Sequence, residues 1–241
     1  MSQEIDDPRR AFLVDALALG FFATGVSGIL QPVHALGDKP IVVPEGRSIY
    51  KLKGKVTVDD VDANIETQIR ANSLVKTGSS SRVIFVVGDD AFILRSNSQL
   101  QLGGGGFLIA GMRLLTGKIL AVFGKRQRPH KITTPTATIG IRGTGIYVES
   151  DEEKSYVCTC YGHTEIVSSV DANQSEQIIT QHHDNPRYIF AADVSTGNII
   201  QPAPFINHTD AELALIEELV GRTPPFAVAG GAYELPRNTI Y

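Results

Sequence analysis

The sequence is poor in most features that would announce an activity. Two cysteines in 241 residues, Cys158 and Cys160, are too few for a disulfide scaffold. Positive charge is not in excess: 22 Lys and Arg against 26 Asp and Glu leave a net charge of −4. A duplex-binding protein usually carries the opposite bias, so nucleic acid is excluded as an expected partner. No nucleophile elbow, HExxH pair or carboxylate dyad can be read, and the chain is expected not to be an enzyme. Asp89 and Asp90 are neighbours in a turn, which suits turn geometry better than acid–base work. The glycine run Gly103–Gly106 leads into Phe-Leu-Ile-Ala, without the Lys-Ser/Thr or the helix that a phosphate loop needs. Helical periodicity is missing from the middle of the chain, which excludes a βαβ parallel sheet.

Long apolar runs are also missing, with one partial exception near the start. Arg9 and Arg10 precede Phe12 and Leu13, and an uncharged, largely apolar run follows from Ala16 to Leu30. At about 1.5 Å per residue it spans about 22 Å, short of the roughly 30 Å hydrocarbon core. Val33 and Ala35 then place small residues at the −3 and −1 positions of a cleavage site. This order reads as a twin-arginine-like signal peptide over residues 1–35, with an uncleaved membrane anchor as the alternative. The mature chain is expected in the periplasm or outside the cell, with no transmembrane span.

From Ile41 onward the period is two. Ser81–Val87, Phe92–Leu94, Gln99–Leu102, Lys118–Phe123, Thr136–Ile141, Gly145–Glu149, Tyr156–Tyr161, Thr164–Val167, Gln177–Thr180 and Arg187–Phe190 read as strands, separated by Gly, Asp and Asn. Short strands at this spacing predict an all-β sandwich, jelly-roll-like, over residues 36–205. Residues 206–241 change character. Thr209-Asp-Ala-Glu212 is a capping box, Leu213, Ile216, Leu219 and Val220 share a helical face, and Gly221 ends the run. A short C-terminal helix is expected there, as a strap on the β domain in preference to a partner-binding helix.

Three segments together resemble the FecR domain family: Thr77-Gly-Ser-Ser-Ser-Arg82 with the strand after it, Phe92-Ile-Leu-Arg-Ser-Asn-Ser98, and above all Thr134-Pro-Thr-Ala-Thr-Ile-Gly-Ile-Arg-Gly-Thr144. The resemblance runs over about residues 40–170 in the family's order. It implies an extracytoplasmic β sandwich. The family's best-known members pass a signal from an outer-membrane transporter to a sigma factor, and begin with an anti-sigma segment and a membrane helix. Here only the short stretch from Met1 to Asp15 precedes the apolar run, so the chain reads as a stand-alone exported member. The expected role is a non-catalytic binding, scaffolding or sensing module whose partner is another protein or an envelope component.

The alternative role is a metal-binding or redox-linked protein. Cys158 and Cys160 lie two apart on an expected strand and leave the same face. Thiolate and imidazole form a transition-metal ligand set, and His182 and His183 follow later, near another expected strand. Adjacent histidines on a strand point to opposite faces, so one of the two is expected to join the cysteines. A strained Cys-x-Cys disulfide and a pair of buried free thiols remain open beside the metal. Lys125, Arg126, Arg128 and Lys131 form a basic loop that reads as a solvated hairpin tip or as a contact for an anionic partner. Arg142 reads as a partner for a structural carboxylate or as an anion contact.

Overall fold

In the computed structural model, residues 43, 46–125, 130–192 and 197–227 are described. The expected signal peptide, Arg126, Arg128 and the last residues of the tail lie outside them. The described chain is all-β with one short helix. Its strands are β1 (Ile49–Lys53), β2 (Val56–Val58), β3 (Val61–Asp62), β4 (Leu74–Thr77), β5 (Arg82–Val87), β6 (Asp90–Leu94), β7 (Gln99–Gly105), β8 (Leu108–Val122), β9 (His130–Thr133), β10 (Ala137–Ser150), β11 (Lys154–Ser168), β12 (Ser175–Thr180), β13 (Arg187–Phe190) and β14 (Ile200–Pro202). Helix α1 (Asp210–Leu219) follows.

Three strands are much longer than the sequence pattern indicates. The segments expected as separate strands on either side of Gly143 fuse into β10, and those on either side of Gly162 fuse into β11. Gly143 and Gly162 have φ of +57° and +95°, and Gly117 in β8 has +99°. At such positions glycine lets a strand bend and continue where the sequence pattern shows a turn. A bulge between Arg142 and Gly145 accompanies the bend in β10.

Each long strand exchanges neighbours at its bend. β8 pairs with β7 up to Thr116 and with β6 from Ile119. β10 pairs with β9 up to Ile141 and with β8 from Gly145. β11 pairs with β13 over Lys154–Val157 and with β12 over Gly162–Val167. All pairings are antiparallel except the short β8–β9 contact at Met112 and Arg113. The result is a sandwich whose two layers are joined by strands that pass from one to the other. One layer runs β1, β5, β6, then the later halves of β8 and β10, the first half of β11, β13 and β14. The main core between the layers includes Phe85, Phe92, Ile119, Ile146 and Val157 from this layer, and Leu100, Met112, Ile139 and Ile166 from the other.

The first layer is buried on both faces. Alternating with its core residues are Ala91, Ile93, Leu120, Val122, Tyr147, Tyr156 and Cys158, which form a second apolar cluster with Leu213, Ile216 and Leu219 of α1. The helix therefore works as a strap, as the stripe predicts. Its capping box is formed: the Glu212 amide donates to Thr209, and the Glu212 carboxylate accepts from the Thr209 amide. Polar clamps fix its position. Arg95 donates to both oxygens of Glu212 at 2.8 and 3.0 Å. Glu217 accepts from Tyr161 and from Arg222 Nε. Leu213→Ala is expected to cost about 2–5 kcal/mol by opening a cavity under the strap, and Thr209→Ala about 1 kcal/mol by removing the cap. Urea unfolding of both variants checks this, and a Leu213→Ala chain as stable as the parent would show that the helix is not docked.

Candidate metal centre

Cys158 and Cys160 lie on the outer face of β11, both fully buried and both free thiols. Their spacing puts them on one face, and the local geometry is special. Gly145 pairs with Tyr161 and Ile146 with Thr159, so Cys160 is the extra residue of a bulge. Its carbonyl accepts from the His183 amide at 2.9 Å, which draws the chain after β12 across the cysteines.

That chain is a loop and not a strand. Thr180 Oγ1 accepts from the amides of His182 and Asp184, and His183 has φ of +51°. The expected opposition of the two histidines therefore does not apply, because side-chain alternation holds only in extended backbone. Both rings turn to one carboxylate. His183 Nε2 lies 2.7 Å from Asp210 Oδ1, and His182 Nε2 lies 2.9 and 3.0 Å from the two Asp210 oxygens. Only His183 also reaches a cysteine, with Nδ1 3.7 Å from Cys158 Sγ.

A further member of the cluster was not anticipated from the sequence. His208, just ahead of the capping box, is buried with Nε2 3.4 Å from Cys160 Sγ and 3.2 Å from His183 Nδ1. Its Nδ1 lies 2.7 Å from the carbonyl of Ile206, which can only accept, so this nitrogen carries a hydrogen. Tyr147 stacks on the ring at 4.5 Å. The segment is held from both sides: Tyr156 Oη donates to Pro204 O, and Asn207 donates to Glu149. The signal for His208 in the sequence is slight, a single histidine far along the chain from Cys160. Asp210 reads there as an ordinary acidic residue in a first helical turn.

Cys158, Cys160, His183 and His208 thus offer two sulfurs and two nitrogens, all within 4.8 Å of one another. His182, His183 and Asp210 form a second group that shares His183. The charges are coupled. The hydrogen bond with Cys160 holds the Cys158 thiol well below its ordinary range despite burial, while burial pushes Cys160 well above it. Burial acts to lower His183, but its hydrogen bonds to Asp210 and Cys158 outweigh this and raise it to about 9. Asp210 is held below the usual carboxylate range, its bonds to His183 and His182 outweighing burial.

Lys125 and Lys131 are exposed at the two ends of the basic loop. Arg142 is exposed at the β10 bulge and makes no ion pair among the described residues.

The pH dependence of the metal-free protein follows from these shifts. His183 is raised from 6.5 to about 9, so its contribution is complete below about pH 6.5 and is lost as pH rises through about 9. Asp210 is depressed, so its contribution is present above the ordinary carboxylate range and is lost as pH falls through its lowered value. Urea unfolding in chelator across this range should show a plateau with losses at both ends. Asp210→Asn should remove the acid limb and shrink the alkaline one; unchanged limbs would contradict the assignment.

Residues 73–163 match the family model described as FecR protein. No curated protein matches the sequence. Two crystal structures of a protein designated an anti-sigma factor, from Parabacteroides distasonis ATCC 8503, align at 10% and 11% identity with a TM-score of 0.44 each. The alignments cover 54% of this chain and 58% of those chains. The matched family segment runs from just before β4 into β11 and includes both cysteines, while His183, His208 and Asp210 lie beyond it. Over residues 73–163 this chain is similar to the FecR protein family.

Proposed function

We propose that the chain is a non-catalytic FecR-domain module that binds, scaffolds or senses outside the cytoplasm. The observation that carries the non-catalytic reading is the closure of its thiol–imidazole cluster. Cys158, Cys160 and His208 are at most 3% exposed, so their atoms meet one another and not a substrate. A cleft of about 470 Å³ among the described residues is lined by Lys55, Thr57, Lys76, Thr77, Gly78, Asn97 and Gln99, and a second of about 310 Å³ is lined in part by Glu149, Asp151 and Lys154. No helix among the described residues is long and apolar enough to cross a membrane. The export reading rests on the order Arg9-Arg10, apolar run, Val33-x-Ala35.

A full-length chain with a C-terminal epitope, produced in a bacterium with twin-arginine export, should appear in the periplasm or medium with Leu36 as its first residue. Retention in the cytoplasm, or a membrane-bound chain beginning at Met1 or Ser2, would overturn the export reading. A second reading, a metal-binding or redox-linked protein, is favoured by one specific observation: the thiol–imidazole cluster of Cys158, Cys160, His183 and His208.

A further inference from the structure

Resting on that second reading, we propose that Cys158, Cys160, His183 and His208 hold one zinc ion in a closed tetrahedral site. We further propose that this ion staples the C-terminal strap to the β domain. Geometry comes first. With Zn–S near 2.3 Å and Zn–N near 2.0 Å, a tetrahedron has S···S, S···N and N···N edges of roughly 3.8, 3.6 and 3.3 Å. The S···N approaches are 3.7 Å for Cys158–His183 and 3.4 Å for Cys160–His208, and the N···N approach of the histidines is 3.2 Å. These three edges match, and all four atoms lie within 4.8 Å of one another.

The outer contacts point the same way. A histidine ligand commonly gives its other N–H to a carboxylate or a backbone carbonyl, which fixes the tautomer and turns the free lone pair to the metal. His183 faces Asp210 through Nε2 and His208 faces Ile206 O through Nδ1. The remaining nitrogens, His183 Nδ1 and His208 Nε2, are the two aimed at each other and at the sulfurs. Two ring nitrogens this close must share a proton or a cation, and one cation serves all four atoms at once. The wall around them is aromatic: Tyr147 and Phe205 lie against His208, and Phe226 against His182 and His183.

The ligand chemistry selects the ion. Two thiolates and two imidazoles in a tetrahedron favour zinc over magnesium or calcium, which take oxygen ligands. On binding, the four ligands together release two protons to solvent, and two thiolates, two neutral imidazoles and one divalent ion leave the ligand set neutral. All four positions are filled by the protein, which is the pattern of a structural site and not a catalytic one.

The ligands come from three places: β11, the loop after β12, and the residue before the cap of α1. An ion there closes a loop from Cys160 to His208 and fastens the start of the strap beside the sheet face it covers. His182 is outside this set, since its Nε2 reaches the Asp210 carboxylate and it is not among the four residues whose ligand atoms converge.

The full-length protein, purified without chelator, should contain one zinc per chain by elemental analysis. Exchange with cobalt(II) should give the visible bands of a tetrahedral ion and a sulfur-to-cobalt charge-transfer band. These readings need no variant and survive if the cysteine substitutions fail to fold. Cys158→Ser with Cys160→Ser should abolish stoichiometric zinc, and His208→Ala should weaken it by more than the roughly 10–100-fold expected for Asp210→Asn. His182→Ala should keep one zinc per chain. Chelation should lower Tm by on the order of 10 °C and speed proteolytic cleavage between β13 and α1. A zinc-loaded protein in which His208→Ala changes neither affinity nor cleavage would overturn the staple while leaving a metal-binding reading intact. A protein that takes up neither zinc nor cobalt, or whose mass is lower by two hydrogens because Cys158 and Cys160 are bridged, would overturn the site and the metal reading together.

Discussion

The first layer of the sandwich is apolar on both faces, and one face cannot be covered by the other layer. Ile93, Leu120, Tyr147 and Cys158 are at most 1% exposed, on the side away from the main core. Left in water, each such side chain would forfeit about 1.5–3 kcal/mol of burial. The chain meets this constraint by returning after β14 and laying α1 across that face. The capping box, the Arg95–Glu212 pair and the Tyr161–Glu217–Arg222 group are all consequences of the return. They fix where the helix begins, how it is rotated and where it ends.

The thiol–imidazole cluster sits where that return meets the sheet. Its cysteines belong to the covered face of β11, and His208 and Asp210 belong to the segment that does the covering. The loop carrying His182 and His183 lies between them, tied to the bulge at Cys160 by a backbone hydrogen bond. A hydrophobic requirement thus brings a polar set together in a place that water does not reach. There, buried thiols and imidazoles must satisfy one another or a cation. The opposed shifts of Cys158 and Cys160, and those of His183 and Asp210, are the electrostatic form of that demand.

The family resemblance and the cluster bear on different parts of the chain. The FecR match ends at residue 163, within β11 and just after the cysteines. The residues that complete the cluster come from the chain beyond it, so the cluster is a feature that the matched segment alone does not complete. A staple at this position would stiffen the strap while leaving the far layer, with its polar cleft by Lys55 and Lys76, free to meet a partner.

Some features were settled by neighbours in the chain. Thr209-x-x-Glu212 specified the start of α1, because a capping box is closed by residues three apart. The stripe at Leu213, Ile216 and Leu219 specified its buried face, and the period of two placed Cys158 and Cys160 on one side of β11. Other features needed partners far away. Gly143 and Gly162 look like turn residues, and only pairing with β8, β9 and β12 makes them bends in continuous strands. His182 and His183 follow β12 directly, but Thr180 and the Cys160 carbonyl place them in a loop, where alternation has no force. His208 and Asp210 are separated from the cysteines by β12, β13 and β14, and nothing local marks them as members of the cluster. The sequence by itself determined the all-β class, the helix and the shared face of the cysteines, since hydrophobic periodicity and capping are short-range. Only the tertiary structure decided that four ligand atoms meet, because that depends on how the chain folds back over the one sheet face the sandwich leaves uncovered.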